Sequence, residues 1–348
     1  MISTRSLCAL LLLSPIGFTG TLHVDANLTT GLNDGSSWAD AFQGARGLKD
    51  ATNAAVAGDV IFVAQGQYRP AIGSNRSISI NLATGVEIYG GFVGGESSPS
   101  QRPPFGTAPS VLDGDLAGDD GGGMFNDNSF HCVRAGSADS SAVLDGFVIR
   151  AGNANGSSNN NKGGGILCLD GGPTIRSCHF LDHRCTFGGA AGYINGSGPT
   201  FTDCIFEAGD GGSFGGAFDI ATGSNGIQFE RCLFKDNTAD RAGALEVFAT
   251  GGVVVSNCVF IDNVSTGSGG GGGMWTGSGG STQVLNCTFV GNRATSQNQG
   301  GLRNQGATVT IANSIFWDNE GPGGSQNANN QLGGSPTVTY SIVEGGFT

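Results

Sequence analysis

Along the second half of the chain, short apolar triplets alternate with glycine- and asparagine-rich stretches at a near-constant interval. An aromatic follows a small residue by two places in Cys178-His179-Phe180, Cys204-Ile205-Phe206, Cys232-Leu233-Phe234, Cys258-Val259-Phe260, Cys287-Thr288-Phe289 and Ser314-Ile315-Phe316, with steps of 26, 28, 26, 29 and 27 residues. A second signature falls about halfway between these units: Gly164-Gly165-Ile166-Leu167, Gly188-Gly189-Ala190-Ala191, Gly215-Gly216-Ala217-Phe218, Ala242-Gly243-Ala244-Leu245, Gly272-Gly273-Met274-Trp275 and Gly300-Gly301-Leu302-Arg303. Two phased motifs in every period of the twenties predict a solenoid whose coils stack and bury their apolar residues only against one another.

Between residues 77 and 150 the strands are less regular. Ile78-Ser79-Ile80, Val86 to Tyr89, Val111-Leu112, His131-Cys132-Val133 and Val143 to Ile149 are separated by glycine and asparagine turns. Residues 38–55 change to a helical period: Trp38, Phe42, Ala45, Leu48 and Ala51 recur at three or four places, with Ser37 as cap, Asp40 three places on and Gly58 as terminator. Lying before the strand predicted at residues 59–64, this helix is expected to cap the open end of the first coil.

Composition agrees with short strands and tight turns. There are 64 glycines in 348 residues and only 13% of residues are charged, which excludes a helical solenoid. A repeat array grows linearly, so residues 20–348 read as one domain: a cap and first coil at 20–70, irregular coils at 71–160 and regular coils of about 27 residues at 161–348. A net charge of −12 opposes nucleic acid and anionic lipid as partners unless a divalent cation bridges them. Residues 1–19, with Arg5, an apolar run from Leu7 to Leu13 and small residues near Gly17, read as a secretory signal. That run is too short to cross a membrane, and no later segment is long and apolar enough, so the expected location is extracellular or on the outer cell surface.

The phased motifs resemble right-handed parallel β-helices of the pectin-lyase-like superfamily and, within it, the repeats of polymorphic outer membrane proteins. Those repeats carry a Gly-Gly-Ala-aliphatic unit and a Phe-x-x-Asn unit. Both are matched here, by Gly215-Gly216-Ala217-Phe218 and by Phe234 to Asn237, Phe260 to Asn263, Phe289 to Asn292 and Phe316 to Asn319. The segments Val24-Asp25-Ala26-Asn27, Asn33 to Trp38 and Tyr89-Gly90-Gly91-Phe92 are also similar to exported bacterial β-helix proteins. The resemblance implies an all-β, right-handed parallel β-helix at a cell surface, but it spans many activities.

Stacking of such coils predicts ladders of like residues about 4.8 Å apart. A Phe ladder and a Cys ladder are expected in the core, with Asn237, Asn263, Asn292 and Asn319 as a third ladder at a turn, where asparagine tolerates left-handed backbone. Without the leader, eight cysteines remain: Cys132, Cys168, Cys178, Cys185, Cys204, Cys232, Cys258 and Cys287. Parallel Cβ vectors in a ladder oppose disulfide geometry, so buried, reduced thiols are expected.

Two clusters carry candidate chemistry. Three residues past the second glycine of each coil stand Cys168, Gly192, Asp219, Glu246, Thr276 and Asn304, so Asp219 and Glu246 are expected side by side on neighbouring coils, facing outward about 5 Å apart. Such a pair is either a solvated acidic patch or, as acid and base, the centre of a polysaccharide lyase or retaining glycosidase, with Asp240 and Arg241 in the preceding turn. The histidines His23, His131, His179 and His183 do not gather around it in sequence. In the loop at 113–120, Asp113, Asp115, Asp119 and Asp120 partly match a calcium loop, although Ala117 and Met124 replace expected ligands.

Two functions follow. The favoured one is a secreted or cell-surface scaffold for adhesion or glycan binding, without catalysis, whose partner is a polysaccharide or cell-envelope component. The alternative is a polysaccharide lyase or glycoside hydrolase acting on extracellular polysaccharide. The last repeat, at residues 336–344, places Ser341 at the cysteine position with no cap after it, so end-to-end stacking on another protein is a further expectation.

Overall fold

A computed structural model describes residues 20–346, except 197, 278, 297, 298, 323, 325 and 326. The leader expected at 1–19 lies outside the described residues. Every pairing within the three long sheets is parallel, and from Val60–Ala64 onward sequence-consecutive strands fall in different sheets, so the chain winds as a β-helix with three faces. The first face has 12 strands and runs to Thr337–Thr339. The second has 10 and runs from Gly66–Tyr68 to Ile342–Val343, and the third has 9 and runs from Ile80–Asn81 to Leu332–Gly333.

One coil shows how the sequence makes three faces from a single period. Thr200–Thr202 lies on the first face, Asp203 turns the chain at φ 55°, Ile205–Glu207 forms the second face, and Ala208 turns it again at φ 57°. A longer loop ends at Gly215, φ 51°, before Phe218–Ile220 on the third face. Both sharp corners therefore need one left-handed residue, the conformation that Gly, Asn and Asp reach at least cost. At the corner into the second face these residues include Asn257, Asn286 and Asn313.

The main core is an apolar cluster from Val24 to Leu332, with two small satellites at Phe62, Tyr89 and Phe92 and at Ala154, Cys185 and Ala190. Phe234, Phe260, Phe289 and Phe316 stack with ring centroids 4.4, 4.3 and 4.5 Å apart and nearly parallel planes. The eight cysteines are buried and unpaired, and the ladder thiols face backbone carbonyls, as Cys258 Sγ does toward Phe229 O at 3.5 Å. The four asparagines form a buried ladder, but they do not themselves take left-handed backbone. The residue before each does, namely Asp236, Asp262, Gly291 and Asp318. The asparagine amide is occupied by hydrogen bonding between coils, and its small neighbour makes the turn.

The expected helix at 38–55 is shorter. Ser37 caps a single 3-10 turn, Trp38–Asp40, after which Phe42–Gln43 pairs with the strand Thr21–Asp25, and the α-helix is Gly47–Ala54. Gly44 at φ 69° interrupts the helical period between them. Leu48 and Ala51 join the core cluster with Val24, Ile61 and Ile80, so the helix covers the first coil as expected. The stretch 143–149 is two strands, Val143–Asp145 and Phe147–Arg150, bent at Gly146 onto different faces. Among the described residues no helix is long and apolar enough to cross a membrane.

Candidate functional site

Four residues beyond the left-handed residue that precedes six successive strands of the third face, one row of side chains points away from the core. The left-handed residues are Gly163, Gly189, Gly215, Ala242, Gly271 and Gln299, and the row is Leu167, Tyr193, Asp219, Glu246, Trp275 and Arg303, each in register with the next. Phe218 and Ile220 enter the core on either side of Asp219, and strand alternation turns the carboxylate outward. Asp219 and Glu246 are therefore direct neighbours, as their spacing predicts. Cys168, Gly192, Thr276 and Asn304 are not in their row, because they pair within the inward-facing rows. The left-handed residue holds no fixed place in the glycine signature, being the second glycine at Gly189, the first at Gly215 and the residue before the pair at Gln299, so a count from the second glycine slips by a residue, and it missed Tyr193, Trp275 and Arg303.

The pair is outside the core but not in solvent. Asp219 is 5% exposed and Glu246 1%, which corrects the expectation of a solvated acidic patch. The loop after the second face folds back over the row, its own ladder running Lys162, Gly188, Phe214, Arg241. Gly188 is required there, since a Cβ on it would fall 2.5 Å from Asp219 Oδ2. Arg241 is the cover. Its guanidinium lies 4.5 Å from the Phe214 ring centroid, 4.9 Å from Phe248 and 4.3 Å from Trp275, and its Nε donates to Glu246 Oε1 at 3.1 Å, with Nη2 on the same oxygen. Lys162 Nζ sits 4.4 Å over Tyr193 and 5.1 Å from Phe187. Each such cation–ring contact is worth about 0.5–2 kcal/mol, more where water is excluded.

Burial raises the pKa of both carboxyl groups. For Asp219 the charges of Arg241 and Lys162 oppose this, and for Glu246 the Arg241 bond opposes it while the Asp219 charge adds to it. Two carboxylates facing one close guanidinium titrate as a coupled pair. Glu246 Oε2 and Trp275 Nε1 are buried without a hydrogen-bond partner. As acid and base the pair has the register and the wrong access: a glycosidic bond reaches it only if Arg241 and Phe214 leave.

The acidic loop divides. Asp113, at the end of the strand Ser110–Asp113, is 1% exposed and already accepts from Arg150 Nη2 at 2.6 Å and Gln67 Nε2 at 2.5 Å, so it is a structural ion-pair residue. Asp115, Asp119 and Asp120 do converge, each offering an oxygen within 4.8 Å of the others. Asp115 accepts from the backbone N–H groups of Gly118, Asp119 and Asp120, which closes the turn. Burial pushes Asp120 up to about 6, with Asn128 Nδ2 donating to it at 2.9 Å. Asp119 Oδ1 and Asp120 Oδ1 are buried without a partner, the donor type that a hard cation such as calcium takes. The three carboxylates could hold one; Asp113 is not available to it. Beside them is a cleft of about 400 Å³ lined by Gln67, Arg69, Asp113, Asp115, Asp120 and Arg150.

None of the curated proteins matches this sequence. Among solved structures, a pectate lyase is similar over 95% of this chain and 80% of its own, at 15% identity and a TM-score of 0.47. The A-module of the mannuronan C-5 epimerase of Azotobacter vinelandii is similar over 86% of this chain and 94% of its own, at 13% identity and a TM-score of 0.32. Residues 124–289 match the family described as "Right handed beta helix region", and the protein is a right-handed parallel β-helix.

Proposed function

We propose that the chain is an exported or cell-surface β-helix scaffold that binds polysaccharide on its long outer faces and does not cleave it. The observation that carries this reading is the sealing of Asp219 and Glu246. The two carboxylates that pair in register on neighbouring coils lie beneath Arg241, Phe214, Phe248 and Trp275, where they stabilise the loop and cannot meet a substrate. Faces of 12, 10 and 9 parallel strands offer the extended, regular surface on which a polymer is held by many weak contacts.

The second reading, a polysaccharide lyase or glycoside hydrolase, keeps one observation in its favour: the mixed cleft at Arg69, Arg150, Asp115 and Asp120 combines guanidinium groups with carboxylates that suit a cation. The deciding experiment incubates the protein with acidic and neutral polysaccharides in calcium and follows new reducing ends and unsaturated products, with binding measured in parallel. Binding without product supports the scaffold. Product that disappears in Asp120→Asn overturns it in favour of the enzyme.

A further inference from the structure

The second face is apolar on its outside as well as its inside. Between the inward Phe residues and beyond them, the outward positions form two rows in register. One is Ile205, Leu233, Val259, Thr288 and Ile315, and the other is Glu207, Lys235, Ile261, Val290 and Trp317. Val259 is 37% exposed, Ile315 40% and Trp317 50%, an unusual exposure for aligned β-branched and aromatic residues. Lys235 and Glu207 neutralise one another at 2.9 Å, so the strip carries no net charge on a protein of net charge −12.

On each side of the strip runs an exposed polar row set by the left-handed corners. Asn257, Asn286 and Asn313 lie on one side, with Asn286 Nδ2 on Asn257 Oδ1 at 3.3 Å, and Asp236, Asp262 and Asp318 lie on the other. The asparagine row repeats once per coil, about every 4.8 Å along the axis, and the aspartate row does so except where Gly291 takes the corner.

Resting on the glycan-binding reading above, we infer that this strip is the docking track for a neutral, linear polysaccharide lying along the helix axis. The floor takes the apolar faces of successive sugar rings, and the flanking amides and carboxylates take their hydroxyl groups. The aspartate row repels a uronate polymer, so the ligand is neutral. A peptide strand is a poor occupant, because the backbone groups of this face are consumed between coils, as Val259 N donates to Cys232 O and Ile315 N to Cys287 O. A second copy of the chain is poor too. The strip is roughly 7 Å wide by roughly 24 Å long from strand geometry, far less than the ~800 Å² per partner of a standard interface.

The test is retention of the full chain on insoluble cellulose and chitin, with pectate gel as the acidic polymer, comparing the wild type with Trp317→Ala and Val259→Lys. Both side chains are exposed, circular dichroism checks folding, and Gln283→Lys on the first face is the control. The expected result is retention on a neutral polymer that falls at least tenfold in both strip variants and not in the control. Retention that survives both substitutions overturns the track while leaving the glycan-binding scaffold standing. Retention on pectate alone overturns the ligand class, and no retention on any polymer overturns the track and the scaffold reading together. A dimer in sedimentation that the strip variants dissociate makes the strip a self-contact and overturns the inference.

Discussion

Asn263 Nδ2 donates to Asn292 Oδ1 at 2.8 Å, and this bond is one rung of a continuous series. Asn263 Oδ1 accepts from both the backbone N and the Nδ2 of Asn237, its own Nδ2 also reaches Phe234 O, and the series passes through Asn292 and Asn319 to Gln331 Oε1. Every donor and acceptor of the buried amide is used, which makes the position intolerant of change. Asn263→Asp replaces a donor with an acceptor facing Phe234 O and Asn292 Oδ1. It should cost at least about 3 kcal/mol in denaturant unfolding, more than Asn263→Ala at roughly 2–3 kcal/mol. Equal costs would mean that the amide contributes packing alone.

The acid pair predicts a pH dependence of definite sign. Because burial raises both native pKa values, the fold favours the protonated carboxyls. The stability they confer is full below about pH 4, where unfolded carboxyls protonate, and is lost as pH rises through the raised native values. Asp219→Asn removes one titrating partner, so its unfolding free energy relative to wild type should climb between pH 4 and pH 8, by an amount on the order of 1–3 kcal/mol, and its Tm with it. A Tm difference independent of pH over that range would show the pair to be solvated. His183, buried and held down to about 3, acts oppositely: its contribution is full above about pH 6.5 and fades as pH falls toward 3, in both proteins.

Arg241 and Glu246 should behave as a unit. Arg241→Met leaves Glu246 buried without its cation and should destabilise by about 3–5 kcal/mol, whereas Arg241→Met with Glu246→Gln should recover at least half of that. Additive losses in the double-mutant cycle would contradict the coupling.

If calcium occupies the loop, Tm should rise by several degrees from chelator to millimolar calcium, and Asp119→Asn with Asp120→Asn should abolish the rise. Asp113→Asn should behave differently, lowering Tm with and without calcium, since its partner is Arg150.

Thiol labelling tests the core. Burial raises the thiol pKa of Cys132, Cys168, Cys178, Cys185 and Cys232, that of Cys168 to about 12. The native protein should label slowly or not at all, and eight thiols should react after denaturation when the leader is absent. Fewer than four would mean that ladder neighbours have joined as disulfides.

The fold was legible because a solenoid writes its period into the sequence: Phe234, Phe260, Phe289 and Phe316 recur because each must sit on the last. The pairing of Asp219 with Glu246 followed from the same period. Their burial did not, since it depends on Phe214 and Arg241 in a loop whose path is set by tertiary contacts and by the vacancy at Gly188. The row of Tyr193, Trp275 and Arg303 was hidden because the left-handed residue four places earlier, Gly189, Gly271 or Gln299, stands at no fixed place relative to the glycine pair that the count started from. The helix at 47–54 was overdrawn for a similar reason, because a 3.6-residue period continues through Gly44, where the backbone turns away.

The parallel stack of Phe rings also bears on how such a gene can change. Phe234, Phe260, Phe289 and Phe316 present nearly the same surface to the coil before and the coil after, at nearly the same separation. Unequal recombination that duplicates or deletes one coil of about 27 residues joins two surfaces that already fit, so the length of the rod is free to drift while its cross-section is held constant by selection.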